Sequence, residues 1–413
     1  MKTKPWYKLD NIGKFYSFTN NNVPIIFRYS VTLTEKVEKE KLQAALIETI
    51  QEFPSFNCTL KQGIFWYYLD YSEKPITVEE EKEPICSKIY KDNDDVLFRV
   101  NYYKNRINLE VSHIVSDGRG SLIFFKNIIY RYLKLKYNIK DLEPEELSSM
   151  YEKTEDSFEK YYTGPKTRKV PKKKVYHYHG RKKKETTFME YHISTEKVHN
   201  LAKTYQVSIT ALLLAVWIES FYKQMREQDK TKTIKIDVPV DLRSIFKSST
   251  SRNFFGITSV SYDVENNLDF NDLVTEVNRQ LKENITKEQL RVRMNQMISL
   301  EKNIFIRFVP IIIKDFVLRT IDRIIYSTTT SSLSNIGKIT VDKKIEKYIQ
   351  NFNVLTTTKN QQLTICSYQD DLSIGISTKY INTDIIKNFC NFFQEHNIEG
   401  TMNINEVDQD EKM

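Results

Sequence analysis

The sequence predicts an α+β protein built from two lobes. The chain has 413 residues, which is too long for one small hydrophobic core and suits two units of ~200 residues. Both halves begin with strands, continue into helices and return to strands, without the strict alternation of a parallel α/β fold. A charged region with several Pro and Gly residues separates them. We therefore predict an N-terminal lobe over 1–165, a linker over 166–186 and a C-terminal lobe over 187–413.

The first half alternates predicted strands with two long helices. Pro24–Thr34 alternates apolar and polar residues and is rich in β-branched side chains, which is typical of a strand. From Glu35 to Phe53 the apolar residues recur on one helical face, with Thr34 as the expected cap. The other predicted elements are strands at Ile64–Leu69, Val96–Tyr103 and Ile107–Val111, and a helix at Arg119–Tyr137.

The second half begins with a predicted strand at Thr187–Ser194. Ser194 and Ser208 are placed to cap helices at Thr195–Thr204 and Ser208–Arg226. A helical zone with breaks extends from about Phe270 to Ile325, and a last helix spans Thr383 to about Glu395. Further strands are predicted at Ile234–Val240, Gly256–Asp263, Tyr326–Ser332, Phe352–Thr358, Leu363–Tyr368 and Leu372–Tyr380.

The net charge of +8 comes from one segment. Lys166–Lys184 holds ten Lys and Arg and no acid, so the rest of the chain carries a formal charge of −2. This segment is either a solvated linker or a contact for a polyanion, such as an acidic carrier protein or the phosphates of a nucleotide-like cosubstrate. We do not expect nucleic acid as a partner.

Several functional classes are disfavoured by composition. The four cysteines (Cys58, Cys86, Cys366 and Cys390) are scattered, so we expect neither a disulfide framework nor a zinc site, and no metal is implied. The N-terminus has no apolar signal-peptide core, and no apolar stretch reaches the ~18–20 uncharged residues of a membrane span. We expect a soluble, cytoplasmic protein without a bound cofactor.

One histidine stands out among the six. His113 follows the predicted strand Ile107–Val111 and precedes a helix, and strand-to-helix turns often expose reactive side chains. Histidine titrates near neutral pH and can accept a proton there. Asp117 could order the loop, and Gly118 could allow a sharp turn before the helix. On this spacing alone, a hydrogen-bonded core histidine is an equally good interpretation.

The segment Ser112-His-Ile-Val-Ser-Asp-Gly118 resembles the HHxxxDG motif of the chloramphenicol-acetyltransferase-like superfamily, which includes peptide-synthetase condensation domains. Three later segments resemble other parts of that family in the expected order. They are Val238-Pro-Val-Asp-Leu-Arg243, Asn253-Phe-Phe-Gly256 and Ser334-Asn335-Ile-Gly337. The last is similar to the SNLG segment of the alcohol acetyltransferase branch, which the chain resembles most. Ser112 replaces the first histidine of the motif, as in branches that use HxxxD alone.

The resemblance implies a two-lobed pseudo-dimer whose mixed sheets are flanked by helices, with a channel between the lobes. His113 would act as general base on an acceptor alcohol or amine, which attacks an acyl thioester directly. Asp117 would pair with an arginine of the second lobe, Arg243 or otherwise Arg252, and support the loop together with Gly118. Ser112, Ser334 and Asn335 are candidate oxyanion donors or channel-lining residues.

Three functions therefore remain open. The first is O-acyl or N-acyl transfer from acyl-CoA, as cosubstrate, to a small-molecule acceptor. The second is a condensation-like transfer from an acyl carrier protein. The third is a non-catalytic binding protein of the same fold, which the Ser112 substitution and the basic segment keep open. The sequence does not fix the acceptor, the acyl chain length or the oligomeric state.

Overall fold

The computed structural model describes residues 5–19, 25–90, 92, 94–143, 148–165, 173–264, 268–302 and 308–405. These residues form sheets of three, five and seven strands flanked by helices. The strands are β1 (Trp6–Lys8), β2 (Ile26–Leu33), β3 (Cys58–Gln62), β4 (Tyr67–Tyr71), β5 (Glu79–Glu80), β6 (Phe98–Tyr103), β7 (Arg106–Ser112), β8 (Lys182–Ser194), β9 (Thr233–Asp241), β10 (Phe255–Asp263), β11 (Ser331–Lys338), β12 (Ile349–Thr356), β13 (Gln361–Tyr368), β14 (Asp371–Tyr380) and β15 (Gly400–Asn405).

The helices lie mainly on the faces of these sheets. They are α1 (Asn11–Thr19), α2 (Lys39–Glu52), α3 (Gly118–Tyr137), α4 (Met150–Thr154), α5 (Ser157–Tyr161), α6 (Thr195–Thr204), α7 (Ile209–Tyr222), α8 (Arg243–Phe246), α9 (Phe270–Asn284), α10 (Lys287–Lys302), α11 (Ile311–Tyr326), α12 (Lys343–Glu346) and α13 (Asp384–Glu395), with a 3-10 turn at Glu227–Asp229.

The first lobe is a five-stranded sheet covered by α2 and α3. Its strand order is β12-β2-β7-β6-β5, antiparallel except for the parallel β5–β6 pair. Alternate residues of β2 and β7 and the apolar faces of both helices share one core, in which the Phe56 and Phe124 rings stack at 4.2 Å. The predicted strands Val96–Tyr103 and Ile107–Val111 correspond to β6 and β7, which form a hairpin with Tyr103 opposite Arg106.

The second lobe is a seven-stranded mixed sheet packed against apolar helices. Its order is β10-β9-β11-β13-β14-β8-β15, and β11 runs parallel to both β9 and β13. Helix α7 is buried around almost its whole circumference, because α9 and α13 pack on it as well as the sheet. Ser194 and Ser208 cap α6 and α7 as predicted, accepting backbone N–H bonds of 3.2 and 3.1 Å.

A strand from late in the chain joins the two lobes. β12 pairs with β2 in the first sheet, although the predicted division places residues 349–356 in the C-terminal lobe. It also lies directly against the second sheet, where Asn353 Oδ1 accepts a 2.7 Å bond from the Ser373 hydroxyl. Arg106 of β7 makes a second connection with a two-bond ion pair to the buried Glu190 of β8.

The structure corrects three predicted elements. The predicted strand at Ile64–Leu69 is instead the tip of the β3–β4 hairpin followed by the first residues of β4, because the chain turns where the Gly63 amide bonds to the Trp66 carbonyl. Helix α2 begins at Lys39 rather than Glu35, and Thr34 is not its cap, because the Thr34 and Val37 amides bond instead to the Tyr348 and Lys104 carbonyls. Residues 326–332 do not form one strand. The apolar helical period of α11 continues to Tyr326, and the strand begins only at Ser331.

Nine shorter elements were not predicted: β1, α1, β3, β5, α4, α5, α8, α12 and β15. β15 lies at an edge of the seven-stranded sheet, where Met402 is half-buried and Ile404 is exposed.

Part of the basic segment packs on the second lobe. Residues 166–172 of the predicted linker lie outside the described residues, and Lys182–Glu185 belong to β8. Between them Tyr176 is buried, and its amide donates a 2.8 Å bond to the Thr233 carbonyl. Lys173 forms an ion pair with Asp263. The described basic residues thus lie along a folded surface.

Within the described ranges, no individual helix has both the length and the apolar character required to cross a membrane. The pair α6 and α7, bent by 82°, meets the criterion jointly by length and composition.

A substitution at Gly375 would test the close contact between the two sheets. A Cβ atom at Gly375 of β14 would lie 1.9 Å from the Val354 carbonyl oxygen of β12, so backbone would have to move. We expect Gly375→Ala to lower the free energy of unfolding by about 3 kcal/mol or more in denaturant titrations. Gly256→Ala is the matched control, because its nearest contact would be an ordinary 3.4 Å. Equal stability of both variants would contradict the close approach.

Candidate functional site

His113 lies in a buried loop between β7 and α3. The strand ends at Ser112 and the helix begins at Gly118. Only 5% of His113 is exposed, and its amide donates a 2.9 Å bond to the Ile25 carbonyl beside the end of β2. His113 therefore lies directly after the end of strand β7, at the edge of the first lobe.

Asp117 holds the loop in place with four hydrogen bonds. Its Oδ1 caps α3 by accepting from the Gly120 amide at 2.8 Å, and its Oδ2 accepts from the Phe254 amide at 2.6 Å. Arg243 Nη1 and Nη2 each donate a 3.0 Å bond to the carboxylate. Phe254 and Arg243 belong to the second lobe, so the Asp117 carboxylate connects the loop of His113 to that lobe.

All three guanidinium nitrogens of Arg243 donate hydrogen bonds around Asp117. Besides Asp117 it bonds to Asp241 at 2.8 Å and to the carbonyl oxygens of Thr250 at 2.8 Å and Arg252 at 2.5 Å. Burial alone would lower the pKa of Arg243, but the adjacent carboxylates of Asp117 and Asp241 outweigh it and raise that pKa. The side chain therefore remains a cation with fixed geometry.

Arg252, the other predicted partner, lies elsewhere. It donates to the Lys8 carbonyl at 2.5 Å and to the Thr154 carbonyl at 3.3 Å, and lies 3.6 Å from Asp10. Arg243 is thus the residue that pairs with Asp117.

Two glycines allow close packing around the loop. Gly118 does not make the sharp turn expected of it, because it is the first residue of α3 and has no positive φ. Its carbonyl instead accepts a 2.6 Å bond from the Tyr29 hydroxyl, and a Cβ there would crowd Ile336 at 2.9 Å. At Gly120 a Cβ would lie 2.1 Å from the Ser251 carbonyl oxygen, so this glycine sets the contact between α3 and the second lobe.

Aromatic rings surround the His113 imidazole. Tyr16 of α1 stacks on it at a centroid distance of 4.4 Å, and Phe27 and Phe255 lie at 4.8 and 5.3 Å. Burial in this apolar setting lowers the pKa of His113 to about 4, although the nearby Asp117 charge opposes the shift. The ring is consequently neutral at physiological pH.

Asn253 fixes which nitrogen of His113 carries the proton. Its Nδ2 donates to Asp10 Oδ1 and Oδ2 at 3.1 and 3.2 Å and to the His113 carbonyl at 3.2 Å, all of which are acceptors. Its Oδ1 must then face His113 Nδ1, at 2.9 Å. Because an amide oxygen only accepts, Nδ1 carries the hydrogen and Nε2 keeps the basic lone pair.

Asp10 anchors this network from the start of α1. Its Oδ1 also accepts a 2.7 Å bond from the Gly13 amide. Burial raises the pKa of Asp10 to about 6, and the Arg252 charge opposes that shift, so the carboxylate is ionised at neutral pH.

The three remaining predicted residues are placed differently. Ser112 is buried at the end of β7, where its hydroxyl accepts from the Ile114 amide at 3.4 Å. The Asn335 amide is used within the second lobe, donating to Thr210 at 2.8 Å and accepting from Gly337 at 2.8 Å across a bulge in β11. Ser334 lies beside it, opposite Thr364. An oxyanion role for these residues remains a prediction.

The sequence did not indicate the roles of Asp10 and Tyr16. Both lie in or next to α1, about a hundred residues before His113, and no motif links them to it. Asn253 was noted within Asn253-Phe-Phe-Gly256, but only the fold brings its amide to the imidazole.

No protein-family model matches the chain, and no curated protein matches its sequence. Solved structures nevertheless match it over almost its whole length. TRI101 of Fusarium sporotrichioides, complexed with coenzyme A and T-2, gives a TM-score of 0.66 at 14% identity, covering 96% of this chain and 99% of that one.

Two further structures are similar to the same extent. TRI3 trichothecene 15-O-acetyltransferase from Fusarium sporotrichioides has a TM-score of 0.62 at 10% identity, covering 92% of each chain. A variant of the starter condensation domain of rhizomide synthetase RzmA, in complex with C8-CoA, has 0.60 at 11%, covering 94% of each. The chain therefore has the two-lobed fold of the chloramphenicol-acetyltransferase-like and condensation domains, as predicted.

The Asp117–Arg243 pair predicts a large stability effect. Arg243→Ala would leave the buried Asp117 carboxylate without its cation, and we expect the free energy of unfolding to fall by about 3–5 kcal/mol in denaturant titrations. Arg279→Ala on α9 is the control, because that arginine forms ion pairs with Glu276 and Glu283 that are exposed to solvent. Wild-type stability of Arg243→Ala would show that the pair does not hold the lobes together.

Proposed function

We propose that this chain is an acyltransferase that moves an acyl group from an acyl thioester, with acyl-CoA as donor, to an alcohol or amine. His113 is the proposed general base. The observation that carries the proposal is a neutral imidazole between the lobes whose Nδ1 is bonded to Asn253, which leaves Nε2 as the basic atom.

The proposed reaction is a direct transfer. Nε2 of His113 accepts the proton of the acceptor O–H or N–H as the acceptor attacks the thioester carbonyl carbon. The tetrahedral intermediate then collapses with cleavage of the C–S bond, and Nε2–H returns a proton to the departing thiolate. A buried imidazole with a pKa of about 4 is fully deprotonated when the acceptor binds, and its conjugate acid gives up the proton readily.

Asn253 and Asp10 are proposed as positioning residues in this scheme. Formation of the imidazolium strengthens the Nδ1–H bond to Asn253 Oδ1, while the Asp10 carboxylate polarises the same amide from its nitrogen side. The two residues thus favour the charged histidine of the transition state without contacting the substrate.

The coenzyme A donor rests on the fold neighbours. Structures of TRI101 and of the rhizomide starter condensation domain carry coenzyme A or C8-CoA, and TRI3 is an acetyltransferase. Because condensation domains share the fold, transfer from an acyl carrier protein is the second candidate function. A non-catalytic binding protein of the same fold is the third.

The first test is a thiol-release assay with acetyl-CoA and longer acyl-CoAs against a panel of alcohols and amines. We expect acceptor-dependent thiol release by the wild type and a loss of at least about a hundredfold in His113→Ala, since the base is removed. A melting temperature measured in parallel shows that the variant is folded. His192→Ala is the matched control, because that histidine bonds to Asp371 away from the site.

The outcomes distinguish the three functions. Thiol release that persists in His113→Ala would contradict the proposed base. Absence of release with every acyl-CoA, followed by transfer from an acylated carrier protein, would favour the carrier-dependent reaction. Absence of both reactions would leave a binding protein as the better account.

A further inference from the structure

Helix α11 exposes an apolar face that the rest of the chain leaves uncovered among the described residues. Several of its apolar side chains are largely exposed to solvent: Ile312 is 77% exposed and Phe316 is 75% exposed. The exposed apolar residues of the helix are Ile312, Ile313, Phe316, Val317, Ile321, Ile324 and Ile325. Scattered exposed apolar residues are ordinary in soluble proteins, but seven on one helix are not.

The exposed residues form two adjacent rows along the helix. One row is Ile312, Phe316 and Ile324, and the other is Ile313, Val317, Ile321 and Ile325, each spaced by multiples of four residues. The opposite side, with Ile311, Lys314 and Asp322, is buried against the protein. Helix α11 is therefore amphipathic, with its apolar side turned outward.

A neighbouring hairpin extends this surface. The tip of the β3–β4 hairpin exposes Ile64 and Phe65, and the Ile64 carbonyl accepts a 3.2 Å bond from the Ile311 amide. The Phe65 ring lies 6.2 Å from that of Phe308, which is itself 68% exposed. We call α11 together with Ile64, Phe65 and Phe308 the α11 surface.

The exposed charges on α11 have one sign. Arg319 and Arg323, one turn apart, are exposed along one flank of the apolar rows. The two acids of the helix are less exposed: Asp322 is buried and paired with Lys359, and the partly buried Asp315 lies 3.5 Å from the Tyr67 hydroxyl and 3.9 Å from Arg319. A partner that covers this helix therefore meets apolar side chains beside positive charge and no exposed carboxylate of α11.

We propose that the α11 surface docks this protein onto an anionic lipid bilayer, with α11 lying in the plane of the membrane interface. An outward apolar face, aromatic side chains and flanking arginines are the features by which a helix inserts into the headgroup region of such a bilayer. Positive charge on the flank matches the anionic headgroups, and the seven apolar side chains leave water when they enter the acyl boundary.

This surface is close to the candidate site. Helix α11 packs on α1, and Arg319 Nε donates a 3.4 Å bond to the Phe18 carbonyl at the end of α1. The same helix α1 supplies Tyr16, which stacks on His113. Docking would thus bring the bilayer next to the helix that borders the site. The proposal stands on the exposed face and its charge, and does not require acyl transfer.

The test is co-sedimentation of the full chain with vesicles. We expect binding to vesicles of equal parts phosphatidylglycerol and phosphatidylcholine, weaker binding to phosphatidylcholine alone, and a decrease as salt is raised. Phe316→Glu should weaken binding to the anionic vesicles by at least about tenfold. The double variant Arg319→Gln, Arg323→Gln should weaken it by about thirtyfold.

Matched variants away from α11 serve as controls. Ile381→Glu introduces the same charge at another exposed apolar side chain, which is 52% exposed, and Lys197→Gln with Lys203→Gln removes two exposed charges from α6. Both should bind vesicles as the wild type does. The changed side chains are exposed, so we expect wild-type melting temperatures for all variants.

Three outcomes would overturn the proposal. The first is no sedimentation with anionic vesicles. The second is binding that the control variants weaken as much as the α11 variants do. The third is a dimer of the wild type in light scattering that Phe316→Glu converts to a monomer without any vesicle binding, because a second copy would then cover the surface.

Discussion

The ion pair between Asp117 and Arg243 is the contact on which the arrangement of the site depends. Asp117 is the cap of α3 in the first lobe, and Arg243 begins a short helix in the second. The pair is buried, so its attraction must offset the desolvation of both ions. The two side chains make eight hydrogen bonds in total, which leave little freedom to either group. Because the loop of His113 ends at Asp117, fixing this carboxylate fixes the histidine.

The second lobe also determines the chemistry of the histidine. Asn253 follows Arg252 by one residue and precedes Phe254, whose amide bonds to Asp117, so one segment both clamps the loop and orients the imidazole. The rings of Tyr16 and Phe255 lie 4.4 and 5.3 Å from the imidazole, and burial among them lowers the pKa of His113 despite the nearby Asp117 charge. Neither lobe alone could hold a neutral histidine with a defined tautomer.

The sequence predicted the parts of this arrangement that depend on local pattern. The strand before His113, the helix after Asp117 and the caps at Ser194 and Ser208 follow from periodicity and short-range hydrogen bonds. Asp10, Tyr16 and the amide of Asn253 reach His113 only through contacts distant in sequence, and no local signal encodes those. The same limit explains β12, whose pattern identifies a strand but not the lobe whose sheet it joins.

The protonation of His113 tests the central claim most directly. In the chain labelled with nitrogen-15 histidine, two-dimensional NMR distinguishes the Nδ1–H from the Nε2–H tautomer, and His113→Gln identifies the signal. We predict a neutral Nδ1–H ring that stays neutral as the pH falls through 6.5 and protonates only near a pKa of about 4. Since the folded pKa lies below the unfolded value, the neutral ring also favours the folded state above pH 6.5, and this advantage is lost as the pH falls toward 4. An Nε2–H tautomer, or titration at 6.5, would contradict the account.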